Sequence, residues 1–500
     1  MSVLSGDAVI VPTGVPGLDD ILAGGYAANR AHLIEGQPGS GKTTIGIQFL
    51  LEGLRSSERC LYITLSESKR ELLAVAERHG WDLSGLEIYE LIPPELSLDP
   101  SNQQTLIHSS ELELGETVRM VLAEAERVKP TRVVFDSLSE IRLLSQGSLR
   151  YRRQVLALKN FFLLHNTTVL LLDDLAAGPD DLNLHSLAHA IIRLEQLAPI
   201  YGVERRRVRV IKMRGTHFRG GYHDLIIRRG GVQVFPRLVA QEHQRAFDSE
   251  PASSALPELD ALLGGGLDRG TTTLIAGPSG SGKSSLALAF AYAALKRGEH
   301  ALFVNFDETR HVFFRRAAGL GMDLQPFHDA GALVAEHVDP AELSPGELVG
   351  RIRNAVEGHD ARVVVIDSLS GYMNAMPEEQ FLLLQMHELA TYLNQQGVVS
   401  ILILAQSGMV GQMHSPLDLT YLSDAVLMLR FFEAGGRIRR AASAIKKRTG
   451  PHESTIREFM IDAGGIRVGE ALTTFRGVLT GVPAYEGDDQ TLIRQRDAAG

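Results

Sequence analysis

Apolar residues in this chain recur in short unbroken runs rather than in alternation. Val133–Phe135, Val169–Leu172, Val363–Ile366 and Ile401–Leu404 are apolar at every position. Strands read this way when both of their faces are covered, as in a parallel sheet with helices on each side. Between the runs lie longer stretches with helical spacing; one of them carries Ile45, Phe49 and Leu50 on a single side. Each half of the chain reads as strand, glycine loop, helix, strand, helix, and then further strand–helix units, an α/β pattern. The polar stretch Gln241–Ser254 has no periodicity and marks a boundary. The reading is therefore a first domain over 1–240, a linker over 241–254, a second domain over 255–470 and a tail over 471–500, beginning just past Gly469.

The two halves are copies of one another. "GLDDILAGG" (Gly17–Gly25) returns as "ELDALLGGG" (Glu258–Gly266), and "GQPGSGKTT" (Gly36–Thr44) returns as "GPSGSGKSS" (Gly277–Ser285). "LSESKRELLAVAERHGWDL" (Leu65–Leu83) is echoed by Phe306–Leu324 at the same offset, the one separating Gly36 from Gly277. "VVFDSLSEI" (Val133–Ile141) matches "VVIDSLSGY" (Val364–Tyr372) at a smaller offset, so the second copy is the shorter between these motifs. A period this long indicates a duplicated domain.

Both glycine loops fit G-x-x-x-x-G-K-[ST] completely, and each follows an apolar strand and opens a helix. Gly36, Gly39 and Gly41, with Gly277, Gly280 and Gly282, let backbone N–H groups converge on phosphate oxygens at the positive end of a helix. Ser40, Thr44, Ser281 and Ser285 complete the two loops. Lys42 and Lys283 supply a point charge to the β- and γ-phosphates, and Thr43 and Ser284 offer a hydroxyl to Mg²⁺. Asp136 and Asp367 each end an apolar strand and precede Ser-Leu-Ser, the position from which a carboxylate holds Mg²⁺. Two such sets in register argue against empty glycine turns. They predict two tandem RecA-like P-loop domains binding ATP and Mg²⁺.

Composition limits the partners. A net charge of −10 opposes broad binding to nucleic acid or anionic lipid. Cys60 is the only cysteine, which excludes an internal disulfide and points to a reducing compartment. No apolar run approaches the ~20 residues of a membrane span, and the N-terminus lacks a secretory leader, so a cytoplasmic protein is expected.

The motifs resemble those of the KaiC family of tandem ATPases over nearly the whole chain, from Thr13 to Pro483. The resemblance rests also on Ser66-Glu67 and Asp307-Glu308, and on "KMRGT" (Lys212–Thr216), "KKRTG" (Lys446–Gly450) and "STIREFMI" (Ser454–Ile461). It implies acidic residues on the strand after the P-loop helix that activate water: Glu67 in the first copy, and Glu308 with Asp307 in the second. It implies that Lys212, Arg214, Lys446 and Arg448 reach the ATP of a neighbouring subunit in a homo-hexameric ring, because neither site has an obvious arginine of its own copy. A double-tiered, ATP-driven switch acting on a protein partner follows.

Two departures from the family pattern matter. Ser66 replaces the first of two glutamates, which leaves one carboxylate at the first site. The adjacent phosphorylated Ser and Thr of the family correspond here to Thr420-Tyr421, just before Ser423-Asp424. Thr420 is therefore the candidate phosphoacceptor of an alternative autokinase. A DNA-dependent ATPase is a third reading, disfavoured by the acidic composition. His185 and His189 have the spacing of two ligands on one helix face, without an evident third. Arg205–Arg207 and Arg150, Arg152 and Arg153 read as solvated or interfacial faces. Gln406-Ser407, just past an apolar strand, could sense a γ-phosphate.

Overall fold

The computed structural model describes residues 9–91, 110–145, 147–175, 182–199, 202–374, 382–406, 420–478 and 484–485. The chain separates into two units, with the division between Arg237 and Leu238. Each is built on one nine-stranded sheet.

Across the first sheet the strands are Gly231–Phe235, His223–Arg228, Arg205–Met213, Ala190–Leu197, Ala31–Gly36, Thr168–Asp174, Arg132–Asp136, Cys60–Thr64 and Glu87–Glu90. The six from Ala190–Leu197 onward are parallel, and the first three form an antiparallel extension. The second sheet repeats this order with Gly465–Ala471, Ile456–Asp462, Arg437–Lys447, Ala425–Ala434, Thr272–Gly277, Val399–Ala405, Ala361–Asp367, His300–Asn305 and Leu333–His337. The duplication read in the sequence is thus a duplication of topology.

The unbroken apolar runs are explained by the layers. Ile34, Tyr62, Val134 and Leu170 pack on the side of Ile45 and Phe49, in the helix Lys42–Arg55. Their sequence neighbours Leu33, Ile63, Val133 and Leu171 pack on the other side, against Val118 and Val155. With both faces covered, the middle of these strands is left without the alternation of a half-exposed sheet. Each fully buried Leu, Ile or Phe contributes about 1.5–3 kcal/mol.

Two boundary expectations change. Residues 241–254 are not a free linker but lie along the second unit. Gln396 donates to the His243 carbonyl at 2.5 Å, Arg245 pairs with Asp360 at 2.8 Å, and Ala252 bridges to Leu267. Phe247 fills the space above Gly397, where an added Cβ would come within 2.3 Å of its ring. Residues 471–478 of the expected tail also stay packed, with Phe475 and Val478 beside Phe432, Ala434 and Ala441, and most of the remaining tail lies outside the described residues. A few anchoring apolar residues in a polar background give no periodicity, and hydropathy therefore misreads 241–254 and 471–478.

The first unit carries an acid-sensitive device in its core. His32, on the strand leading into the first glycine loop, is fully buried and shares its Nε2 with the Ala27 carbonyl at 2.8 Å. Its Nδ1 is buried with no partner among the described residues. Burial pushes its pKa down to about 3, and burial pushes that of His223 down to about 4. Both stay neutral when folded, while the unfolded chain protonates them near pH 6.5. Stability is therefore full above about pH 6.5 and falls as pH drops toward the folded values. His32 alone should remove about 2 kcal/mol between pH 7.5 and 5.0. Trp81, the only tryptophan, belongs to this unit and reports on it. A urea midpoint followed by Trp81 fluorescence should fall at pH 5.0, and His32→Thr, the second copy's residue (Thr273), should flatten the change. An unchanged midpoint would contradict this account.

Candidate nucleotide sites

Both glycine loops leave the central strand of their sheet and turn directly into a helix, Lys42–Arg55 or Lys283–Lys296. The turn requires glycine. Gly39 and Gly41 have φ of 80° and 104°, and Gly280 and Gly282 have 77° and 101°, a left-handed region that side chains disfavour. Space is closed as well: a Cβ on Gly41 would lie 2.9 Å from Ile227, and one on Gly282 only 2.3 Å from Ile461. In each loop the serine hydroxyl, of Ser40 or Ser281, is buried without a hydrogen-bond partner among the described residues. Orphaned buried donors at a helix N-terminus are what an anion satisfies. The loops fit a polyphosphate.

The adjacent cation position also fits. Thr43 Oγ1 donates to Asp136 at 3.0 Å, and the Ser284 hydroxyl donates to Asp367. Burial pushes both carboxyl pKa values up, against opposing hydrogen bonds from Tyr62 and Thr43 at Asp136 and from Ser284 at Asp367. A hydroxyl and a desolvated carboxylate beside a phosphate cradle form a donor set suited to Mg²⁺.

Beyond this shared frame the sites differ. In the second, a cleft of about 680 Å³ is lined by Lys283, Asp307, Glu308, Arg316, Asp367 and Arg440, among others. Arg316 holds Glu308 at 2.7 Å, and Ser368 Oγ donates to Asp307 at 2.9 Å. Arg316, from the helix Arg310–Gly319 of the same copy, stands in this cleft. In the first site Glu67 lies three residues past the end of the strand Cys60–Thr64, and Thr64 Oγ1 accepts the Glu67 N–H at 3.0 Å. The acidic residues thus stand just beyond the strands Cys60–Thr64 and His300–Asn305 rather than on them. Burial first, and then the charge of Asp136, push the Glu67 carboxyl above its ordinary range.

The expectation of a single carboxylate at the first site is also corrected. Asp174 ends the neighbouring strand, in register with Gly36, and binds Lys42 at 2.9 Å. Tyr62, fully buried, donates to Asp136 at 2.5 Å. Neither has a counterpart in the second site, where the matching residues are Ala405 and Phe303.

The four expected trans cations lie away from the loops of their own copy. Lys212 bonds the carbonyls of His185 and Ala188, and Lys446 bonds that of Ser423 at 2.7 Å. Arg214 donates to the Ser186 carbonyl at 2.8 Å, and Arg448 lies 3.4 Å from Asp424. Backbone bonds fix their level in the sheet: Arg448 to Asp424 and on to Thr272, and Arg214 to His189 and on to Ala31. Thr272 and Ala31 begin the strands that end at the two glycine loops. Five residues of strand, about 16 Å, separate the two edges of each sheet.

The remaining candidates settle as follows. The helix holding His185 ends at that residue, so His185 and His189 do not share a helix face; His185 binds Glu35 at 2.8 Å and His189 rests edge-on against His32. Arg206 pairs with Glu204 and Arg207 with Glu195, and Arg152 donates to Ser186. Gln406 continues the strand beside Gly277 through its N–H at 3.0 Å, and Ser407 lies outside the described residues. The Thr420 backbone opens a 3-10 turn, Thr420–Leu422, and its side chain is outside the described residues.

Two RecA-type sheets, each with a glycine loop, a Thr or Ser–Asp pair and acidic residues at the same edge, define a tandem P-loop ATPase. The chain belongs to the KaiC ATPase family, whose model matches it twice, over residues 11–239 and 252–473. It is 25% identical to the circadian clock protein KaiC3 of Synechocystis sp. (strain ATCC 27184 / PCC 6803 / Kazusa), over 96% of this chain and 95% of that one. It is 26% identical to the circadian clock oscillator protein KaiC of Prochlorococcus marinus (strain MIT 9313), over 96% of both. With KaiC of Parasynechococcus marenigrum (strain WH8102) the identity is 25%, over 98% of this chain and 96% of the other. No described helix is long and apolar enough to cross a membrane.

Proposed function

We propose that this protein is a double-tiered homo-hexameric ATPase ring in the cytoplasm, working as an ATP-driven switch on a protein partner. The carrying observation is the placement of the two Lys-x-Arg pairs. Each lies at the edge of its sheet remote from its own glycine loop, and so is out of reach of the ATP that loop would hold. Self-assembly is the arrangement that brings Lys212 and Arg214, or Lys446 and Arg448, to a γ-phosphate.

Within this reading the residues divide the work. Lys42 or Lys283 and the loop N–H groups hold the phosphates. Thr43 with Asp136, and Ser284 with Asp367, would hold Mg²⁺, which would supply positive charge to offset that of the phosphates. Glu67 and Glu308 orient the attacking water and accept its proton, and the trans cations stabilise charge on the transferring group.

A second reading is favoured by one observation. The turn that begins at Thr420 runs into Ser423, whose carbonyl Lys446 holds, so Thr420 and this cation share an edge of the sheet. A hydroxyl there would meet the ATP that Lys446 meets, bound at Lys283 of a neighbour, and transfer needs the two in line. Tyr421, the other hydroxyl of the pair, would place its oxygen much farther from the backbone.

Mass photometry and intact-mass measurement after incubation with MgATP test both readings. The expected result is a hexamer with at most one phosphate per subunit, absent from Thr420→Ala. A chain that stays monomeric with MgATP would overturn the ring, and a phosphate persisting in Thr420→Ala would overturn the acceptor.

A further inference from the structure

We infer that Asp174 is a nucleotide-selecting residue of the first site, which sets ATP against ADP by competing for Lys42. The inference rests on Lys42 binding nucleotide phosphates.

An ammonium has three N–H donors. Lys42 donates to the Gly36 carbonyl at 2.8 Å and the Gln37 carbonyl at 3.0 Å, and it forms an ion pair with Asp174 Oδ1 at 2.9 Å. The lysine side chain is 8% exposed, whereas that of Asp174 is 46% exposed. The lysine is thus fixed by burial and the aspartate is the partner that can swing out. In the paired position Ser139 Oγ donates to the Asp174 carboxylate at 3.2 Å and accepts the Asp174 N–H at 3.1 Å.

The second copy shows what the site looks like without this group. The two sheets share one register, in which Gly36 faces Asp174 and Gly277 faces Ala405. Lys283 donates to the Pro278 carbonyl at 2.7 Å, and a methyl group occupies the place of the competing carboxylate. Both copies keep the loop, the lysine and the cation-site pair. The difference therefore concerns what Lys42 gives up when a phosphate arrives.

A γ-phosphate must take Lys42 from Asp174 and then sit beside the displaced carboxylate, at close range and of like charge. A diphosphate engages Lys42 through its β-phosphate alone and places no group beside that carboxylate. Asp174 consequently weakens triphosphate binding more than diphosphate binding, so the first site retains ADP more readily than the second. Mg²⁺ held at Thr43 and Asp136 would offset the phosphate charge but not that of Asp174.

The test uses the full chain with Lys283→Ala, so that only the first site binds, and titrates it calorimetrically with Mg²⁺ and either ADP or the non-hydrolysable analogue AMPPNP. Asp174→Asn is expected to raise the ratio of AMPPNP to ADP affinity about tenfold, the partial exposure of the pair holding the effect to that order. The reciprocal change, Ala405→Asp in a Lys42→Ala chain, should lower the same ratio at the second site. A ratio within twofold of the parent in Asp174→Asn, with Lys42→Ala still abolishing binding at that site, would overturn the selecting role alone. Undiminished binding in the chain lacking both lysines would overturn the nucleotide sites, and this inference with them.

Discussion

Replacing Lys283 by alanine is expected to lower ATP hydrolysis at the second site by two to three orders of magnitude, on the order of 10²–10³. The lysine is 7% exposed, sits at the first turn of its helix, and has the carboxylate of Asp367 nearby. Burial lowers its pKa, so the folded site already carries the cost of holding a desolvated cation. A phosphate repays that cost, and the neighbouring Arg316 is committed to Glu308 at 2.7 Å. The same change at Lys42 should silence the first site. Because the two units have separate cores, each variant should retain the other site's turnover. Initial rates of phosphate release for the two single variants and the double variant measure this. A double variant as active as the parent would show that the glycine loops are not the sites.

The second large effect belongs to the remote cations. Arg448→Ala and Arg214→Ala are expected to lower hydrolysis in their tiers by about 10³, the scale of a lost arginine finger. Binding of ATP by a subunit's own loop should change far less, because each arginine lies about 16 Å of strand away from it. Rate and affinity therefore separate in these variants, whereas they fall together when a loop lysine is lost. Single-turnover rates and equilibrium binding of AMPPNP give the two quantities. Equal losses in both would place the arginines in the binding of their own nucleotide.

Much of this molecule was legible in its sequence because the chain repeats itself. The glycine loops and the two Asp-Ser-Leu-Ser strand ends each appear twice in register, and the structure puts them at one edge of each sheet. Burial on both faces was legible too, since Val133–Phe135 and Val363–Ile366 admit no polar position. What escaped was everything defined across strands. Asp174 reaches Lys42 because Thr168–Asp174 lies beside Ala31–Gly36, a neighbour relation with no local signal. The run Val169–Leu172 followed by two aspartates was nonetheless the same pattern that pointed to Asp136. Arg316 was missed for a similar reason: it reaches back two helical turns to Glu308, and its counterpart in the first copy is Val75. Tyr62 could have been found only by comparing the copies, where it faces Phe303. The repeat thus revealed what the sites share and hid what distinguishes them.

The central claim is that catalysis is completed between subunits, and one mixing experiment tests it most directly. A Lys42→Ala chain cannot hold ATP in its first site but still presents Arg214, while an Arg214→Ala chain holds ATP but presents no arginine. Mixed before assembly with MgATP, they form interfaces in which an intact loop meets an intact arginine. First-tier hydrolysis should then exceed the sum of the two chains measured apart, rising and falling with the mixing ratio. Strict additivity at every ratio, with mixed rings confirmed by mass photometry, would contradict catalysis in trans.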